Sequence, residues 1–192
     1  MTDEIENFKK YLAQLTPIEN ESFDIASEYF KIERICKSEF FIKEGQICSK
    51  IAFISEGLFR IYYLKDGIEI NTCFCKENSI TSSFNSFVNH IPSSENIQAL
   101  ENSVVVTLSS ENLAKLYSDS QIWQTIGRLL TEKECLRLSD RASSLSFESA
   151  LEKYKNLLKY QPGIIQRVSI QHIASYIGVS RETLSRIRSK TG

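Results

Sequence analysis

The chain has little of what marks several protein classes. Among its 192 residues are three prolines and seven glycines, which excludes collagen-like repeats and long low-complexity linkers. Two histidines are too few for an enzyme built on a multi-histidine metal centre, so no metal is expected. No uncharged apolar run reaches the ~18 residues that a membrane-spanning helix needs, and no membrane partner is expected. The opening stretch, MTDEIENFKK, is acidic and amphipathic, unlike a secretory signal. Five cysteines, an odd number without an export signal, read as free thiols in a reducing cytoplasm. What remains is ordinary for a folded protein: 42% hydrophobic and 24% charged residues, enough for one good core or two small domains.

The net charge of −1 hides a division. Residues 1–150 hold 15 Lys/Arg against 22 Asp/Glu, a net of −7; residues 151–192 hold 8 against Glu152 and Glu182, a net of +6. A basic tail on an acidic body points to a polyanionic partner for the tail.

Phe8, Tyr11, Leu12 and Leu15 recur at helical spacing. Thr16-Pro17 then predicts a restart, with Thr16 as cap, and a second helix over about 18–30. From Ile32 to Leu108, short β-prone runs alternate with turn signals: 39–42, 50–57, 58–64, 69–74, 96–101 and 103–109. Asp66-Gly67 between two of them is a hairpin signal. Strands at this spacing suggest a sandwich or jelly-roll barrel. The stretch NSITSSFNSFVNHIPSS (78–94) breaks the pattern as a polar insertion. Beyond Ser110 the texture is helical: a short helix opened by Ser110, a long one over about 120–145, one over 147–160 ended by Gln161-Pro162-Gly163, and two short ones over 169–176 and 180–190.

The segment SIQHIASYIGVSRETLSRIRSK (169–190) is the most specific. Ile170, Ile173, Ala174 and Ile177 form an inner face. Gly178 permits a tight turn, and Val179 fills the space between helices. Ser180 caps the second helix, and Leu184 and Ile187 hold it down. Arg181, Glu182, Ser185, Arg186 and Arg188 are left outward. This is the logic of a helix-turn-helix, a small apolar scaffold presenting one polar, basic helix to the DNA major groove.

At GVSRETLSRIR the chain resembles the recognition helix of the Crp/Fnr (cyclic-AMP receptor protein-like) family of bacterial transcription regulators. The resemblance implies an α+β fold: N-terminal helices, a cyclic-nucleotide-binding-type β-roll (a double-stranded jelly roll), a long dimerisation helix and a C-terminal helix-turn-helix. The corresponding division is 1–118, 119–146 and 147–192. It also implies that Arg181, Glu182 and Arg186 contact bases. Arg can grip guanine bidentately and Glu can accept from cytosine N4. Ser180, Ser185, Arg188 and Lys190 complete the expected DNA surface. The chain stops at Lys190-Thr191-Gly192, so the β-hairpin wing of many relatives is expected to be missing.

In cyclic-nucleotide-binding relatives the polar insertion is a phosphate-binding cassette, with a Gly-Glu pair before a short helix and an Arg-Ser/Thr-Ala triplet after it. An ungapped match puts Ser82-Ser83 and Ser93-Ser94-Glu95 at those positions. The carboxylate for the ribose is thus Ser83, and the arginine for the phosphate is Ser93. Each lost charge-assisted contact costs about 1.5–3 kcal/mol. Cyclic AMP is therefore not the expected effector. The insertion is either a pocket for another small molecule, lined by Ser82, Ser83, Ser93, Ser94 and Ser139, or a packed loop; no cofactor is expected. Ser139 matches a family position on the long helix that reaches the effector. The dimer seam is expected at Ile122, Ile126, Leu129 and Leu136, with Leu145 beside them. Cys73-x-Cys75 reads as a pair of core or half-buried thiols rather than a metal site. His90 and His172 stand without companion ligands.

The expected function is that of a dimeric regulator that binds double-stranded DNA at an inverted repeat, with RNA polymerase as a further candidate partner. The alternative is a small-molecule-binding β-roll dimer with little or no DNA binding. A cupin-like enzyme would need histidines on the strands, and residues 32–108 hold only His90.

Overall fold

The computed structural model describes residues 2–190. The two residues after Lys190, on which the expectation of a missing wing rests, lie outside the described residues. In chain order the elements are α1 (Asp3–Ala13), α2 (Asn20–Ser27), β1 (Lys31–Ile35), β2 (Phe40–Ile42), β3 (Lys50–Glu56), β4 (Leu58–Lys65), β5 (Ile68–Lys76), β6 (Ser79–Thr81), α3 (Phe84–Asn89), β7 (Asn96–Ala99), β8 (Ser103–Ser109), α4 (Ser110–Asp119), α5 (Gln121–Phe147), α6 (Ala150–Tyr160), α7 (Pro162–Arg167), α8 (Ile170–Ile177) and α9 (Arg181–Ser189). The fold is α+β. The strands form two four-stranded sheets, β1-β8-β3-β6 and β2-β7-β4-β5. The chain divides into two compact units, one of residues 1–61 and 75–132, the other of 62–74 and 133–192.

The first unit is built around β8. Its run of valines is buried along nearly the whole strand, as befits a strand flanked on both edges. It pairs antiparallel with β1 (Glu33 opposite Val105) and with β3 (Phe53 opposite Val106). The apolar stripe of α1 lands on this sheet. Phe8 stacks on Phe53 at 4.9 Å between ring centroids, and Phe30 meets Trp123 edge-on at 5.9 Å. With Tyr11, Leu12, Phe23, Leu116 and Ile126 these rings form one continuous core. Burying side chains of this size contributes about 1.5–3 kcal/mol each.

Several boundaries differ from the sequence reading. Thr16-Pro17 does not restart the helix; the chain stays irregular to Glu19. α4 opens at Ser110 as expected, and the residue before it, Ser109, is the cap, accepting from the Asn112 N–H. A capping box between Ser149 and Glu152 starts α6 at Ala150, so Phe147 belongs to the end of α5 and is 87% exposed. Pro162 does more than end α6, because it sits in the first turn of α7, where its fixed φ and missing N–H cost nothing. The polar insertion contains a strand, β6, and a helix, α3. The Asp66-Gly67 hairpin is as expected: both residues have positive φ, 52° and 78°, which is the primed turn that matches strand twist.

The second unit is a helical bundle with the hairpin end 62–74. Tyr154 and Leu157 of α6, Ile164 of α7, Ile173, Ala174 and Ile177 of α8, and Leu184 of α9 form its core. Among the described residues no helix is long and apolar enough to cross a membrane.

Candidate nucleic-acid interface and effector cassette

Each feature of the α8–α9 pair has a local cause. Ser169 caps α8 through the His172 N–H, and Ser180 caps α9 through the Thr183 N–H at 3.2 Å. Between them Gly178 takes φ 88°, a left-handed conformation that costs other residues a Cβ clash. The Val179 N–H then reaches the Ala174 carbonyl at 3.0 Å and the Gly178 N–H the Ser175 carbonyl at 3.2 Å. This double closure ends the helix sharply and satisfies its last carbonyls. Leu184, with no exposed surface, pins α9 to the bundle, and Ile187 is half-buried beside it.

The remaining positions of α9 face outward. Ser180, Arg181, Glu182, Ser185, Arg186, Arg188 and Lys190 are all exposed. Glu182 is held below the usual carboxylate range by its own backbone N–H first, then by the Ser180 hydroxyl, with Arg181 and Arg186 adding their charge. The carboxylate therefore stays ionised, folded back on the positive end of the helix. Arg186 stands one turn on, so the exposed face presents an acceptor and a planar donor side by side.

The cassette residues lie in the first unit. Ser82, Ser83 and Ser93 are buried and Ser94 is exposed. Ser93 Oγ sits 2.9 Å from Ser83 Oγ, 2.8 Å from the Glu95 carbonyl oxygen, and accepts from the Glu95 N–H. The Ser82 hydroxyl donates to the Lys50 carbonyl at 3.2 Å, with Cys48 Sγ 3.4 Å away. Ser86 of α3 ties the short helix down, donating to the Ile91 carbonyl and accepting from the Cys48 N–H. The two positions expected to meet a sugar and a phosphate thus bond to each other. Neither carries the charge that a cyclic phosphodiester or a ribose diol would call for. Ser139 lies exposed on α5, in the second unit. A separate shallow cleft of about 500 Å³ runs past Glu33, Phe40, Phe41 and Lys50. Within its lining the Lys50 ammonium donates to the Glu33 carboxylate at 2.8 Å.

The four residues expected at a dimer seam have different surroundings. Ile126 is buried in the aromatic core of the first unit and Ile122 packs against that core. Leu129 is half-buried, and Leu136 is 68% exposed. Leu145, expected beside the seam, lies instead on an exposed stripe with Thr131, Cys135, Leu138 and Ala142, four residues that the sequence reading did not name. Their spacing alternates four and three, the period of a two-helix seam. That spacing was readable in the sequence, but the larger leucines on the other faces drew the count.

All five cysteines are free, with Cys48 and Cys75 buried. Among the described residues no three His, Cys, Asp or Glu side chains gather as a metal would require.

Residues 32–120 match the family model of the cyclic nucleotide-binding domain. No curated protein sequence matches the chain. Solved structures share its fold at low identity. The catabolite activator protein of Thermus thermophilus is 17% identical, with TM-score 0.59 over 94% of this chain and 85% of that one. CLP, the c-di-GMP-responsive global regulator of Xanthomonas campestris, is 19% identical, with TM-score 0.69 over 90% and 91%. FixK2 of Bradyrhizobium japonicum is 18% identical, with TM-score 0.68 over 84% and 83%. The chain thus shares the fold of these solved regulators, and residues 32–120 within it resemble a cyclic nucleotide-binding domain.

Proposed function

We propose that this chain is a homodimeric, sequence-specific DNA-binding transcription regulator whose sensor domain does not respond to cyclic AMP. The observation that carries it is α9, a helix fixed by one fully buried leucine and otherwise presenting Arg181, Glu182, Ser185, Arg186, Arg188 and Lys190 to solvent. Arg181, Glu182 and Arg186 read bases, and Arg188 and Lys190 meet phosphates. Residues 1–118 act as the effector-type domain, 119–146 as the dimerisation helix and 147–192 as the DNA-binding domain. The twin helices meet along Cys135, Leu138, Ala142 and Leu145, continuing toward Leu129. Two copies then require an inverted repeat with half-sites about 10 base pairs apart.

The cassette supports the reading on cyclic AMP. Ser83 and Ser93 are joined by a hydrogen bond, and a nucleotide would gain no ion pair by parting them. The effector, where one acts, is a molecule met by hydroxyls rather than by charge.

The test is a titration against a duplex chosen from a random-site selection and against its scrambled control, at two salt concentrations. Arg186→Ala should lose about 1–3 kcal/mol on the selected duplex and little on the control. Lys190→Ala should weaken both alike and lower the salt slope by about one. Equal loss on both duplexes for Arg186→Ala would refute base reading by that residue. A selection that enriches no sequence, with and without cell extract, would refute the regulator.

A further inference from the structure

β1 and β2 are each the outer strand of their sheet, and only residues 36–39 separate them in the chain. Residues of both strands line the cleft of about 500 Å³, a volume in the range that holds a small molecule. Its charged residues are of two kinds.

The half-buried charges are closed on each other. Lys50, on β3, donates to both oxygens of the Glu33 carboxylate, at 2.8 and 2.5 Å, and the Thr107 hydroxyl donates to the same carboxylate at 2.8 Å. Burial pushes the Glu33 carboxyl up, but these bonds outweigh it and hold the group below the usual carboxylate range. The Lys50 ammonium also lies 5.2 Å from the Phe41 ring centroid. This pair is complete without a ligand.

The exposed charges are open. Glu39 and Lys43 stand just before and just after β2 and line the same cleft. Among the described residues neither has an ion-pair partner. Glu39 accepts from the Cys36 N–H at 2.7 Å, and the Lys43 ammonium rests 4.8 Å from the Phe40 ring centroid. The extended chain between them sets their α-carbons about 13 Å apart. An anion, two phenylalanine rings and a cation thus follow one another along one cleft. Ser38, in the turn that leads into it, holds a positive φ of 73°, a strain that surrounding structure must enforce and that collects at ligand clamps.

This order of groups selects a ligand. A free amino acid carries both its charges on one carbon and cannot reach both ends. A dipeptide separates them by about 7 Å, and the Glu39 and Lys43 side chains span the remaining ~6 Å. We propose that the cleft between β1 and β2 binds a dipeptide with free ends and an apolar side chain, its amino terminus on Glu39, its carboxylate on Lys43 and its side chain against Phe40 and Phe41. The inference does not depend on DNA binding by α9.

The test is an NMR titration of the full isotope-labelled chain with leucyl-phenylalanine. Saturable shifts should centre on residues 36–50, with a dissociation constant in the millimolar range or below, about 1 mM. Acetylating the amino end, or amidating the carboxyl end, should each weaken binding by about two- to fivefold, as befits exposed ion pairs. Free phenylalanine should bind more weakly than the dipeptide. Glu39→Gln keeps an acceptor for the Cys36 N–H and should abolish the effect of acetylation. Lys43→Met keeps the contact with Phe40 and should abolish the effect of amidation. Circular dichroism checks that both variants fold; where one does not, the wild-type series with the blocked peptides still decides. No saturable shift at about 10 mM dipeptide, shifts centred elsewhere, or equal binding of free phenylalanine would overturn the site. Blocked peptides that bind as well as the free one, or blocking effects that persist in both variants, would overturn the roles of Glu39 and Lys43.

Discussion

Gly57 turns the chain from β3 of one sheet into β4 of the other, and it offers a direct test of the roll. Its φ is 106°, outside what an L side chain tolerates. A Cβ built there would overlap the Ser103 side chain and stand 2.8 Å from the Ser103 Cα. Ser103 opens β8 and its hydroxyl donates to the Glu101 carbonyl, so neither backbone nor side chain is free to retreat. Backbone strain costs about 1–3 kcal/mol, and forcing atoms into packed space about 1–3 more. Gly57→Ala should therefore destabilise by about 2–6 kcal/mol, a large share of the 5–15 typical of a domain. Melting followed by far-UV circular dichroism should show a fall of roughly 5–20 °C for a chain of this size. Gly45→Ala and Gly67→Ala are the controls. Both sites have positive φ, 85° and 78°, but nothing lies within 4 Å of the added carbon, so only the strain remains. A Gly57→Ala melt no lower than the controls would refute the packing argument.

Oxidation of the dimer should cross-link it through Cys135, on the exposed stripe of α5; the cross-link should vanish in Cys135→Ser, and Leu138→Glu should yield monomer on sedimentation. Burial raises the Tyr176 phenol above its ordinary 10.0, against the opposing charges of Arg141 and Arg137. Its contribution to stability is thus complete below about pH 10 and is lost as pH rises through the raised value. Tyr176→Phe should melt with less alkaline loss than wild type between pH 9 and 11.5; an identical loss would refute the assignment, Tyr117, also raised by burial, being common to both. Calorimetry with cyclic AMP should show no binding at micromolar concentration, since Ser83 and Ser93 bond to each other.

How much the sequence disclosed depended on the range of the interactions. The α8–α9 pair was legible almost residue by residue because its causes are local: Ser180 as cap, Gly178 at the turn, and Leu184 at helical spacing from Ile187. The β-rich middle was legible as strands through β8 and β3, whose apolar runs are unambiguous. β1 was missed because KIERI alternates charge with isoleucine and reads as surface, which part of it is. The short helix α3 was implied by the cassette resemblance and not by local pattern, since six residues rich in Ser and Asn hold no periodicity; Ser86 bonding to Ile91 and Cys48 ties it down. The burial of Ile122 and Ile126 was not legible for a related reason. Ile122 and Ile126 are apolar, but which core claims them depends on Phe23, Phe30 and Trp123 meeting in space. The Ser175 hydroxyl of α8 bonds to Asn71 and Glu69, residues 104 and 106 positions away, and no local pattern announces it.

The division of charge gives the proposed function a direction. Residues 1–150 carry −7 and residues 151–192 carry +6. An acidic body repels a phosphate backbone, so DNA gains nothing by lying against the greater part of the molecule. Attraction is confined to the tail, where α9 and its cap supply Arg181, Arg186, Arg188 and Lys190. In the proposed regulator those four cations would serve both the non-specific and the specific complex, two of them leaving phosphates for base edges in the latter. A dimer placing all eight on phosphates would lose affinity with salt at a slope of about −7, and one with four on bases at about −4. The specific complex is therefore the less salt-sensitive of the two, and selectivity for the inverted repeat rises as salt weakens the competing contacts. A small basic domain on an acidic carrier thus obtains discrimination from few residues, because the carrier suppresses binding everywhere the recognition helix does not reach.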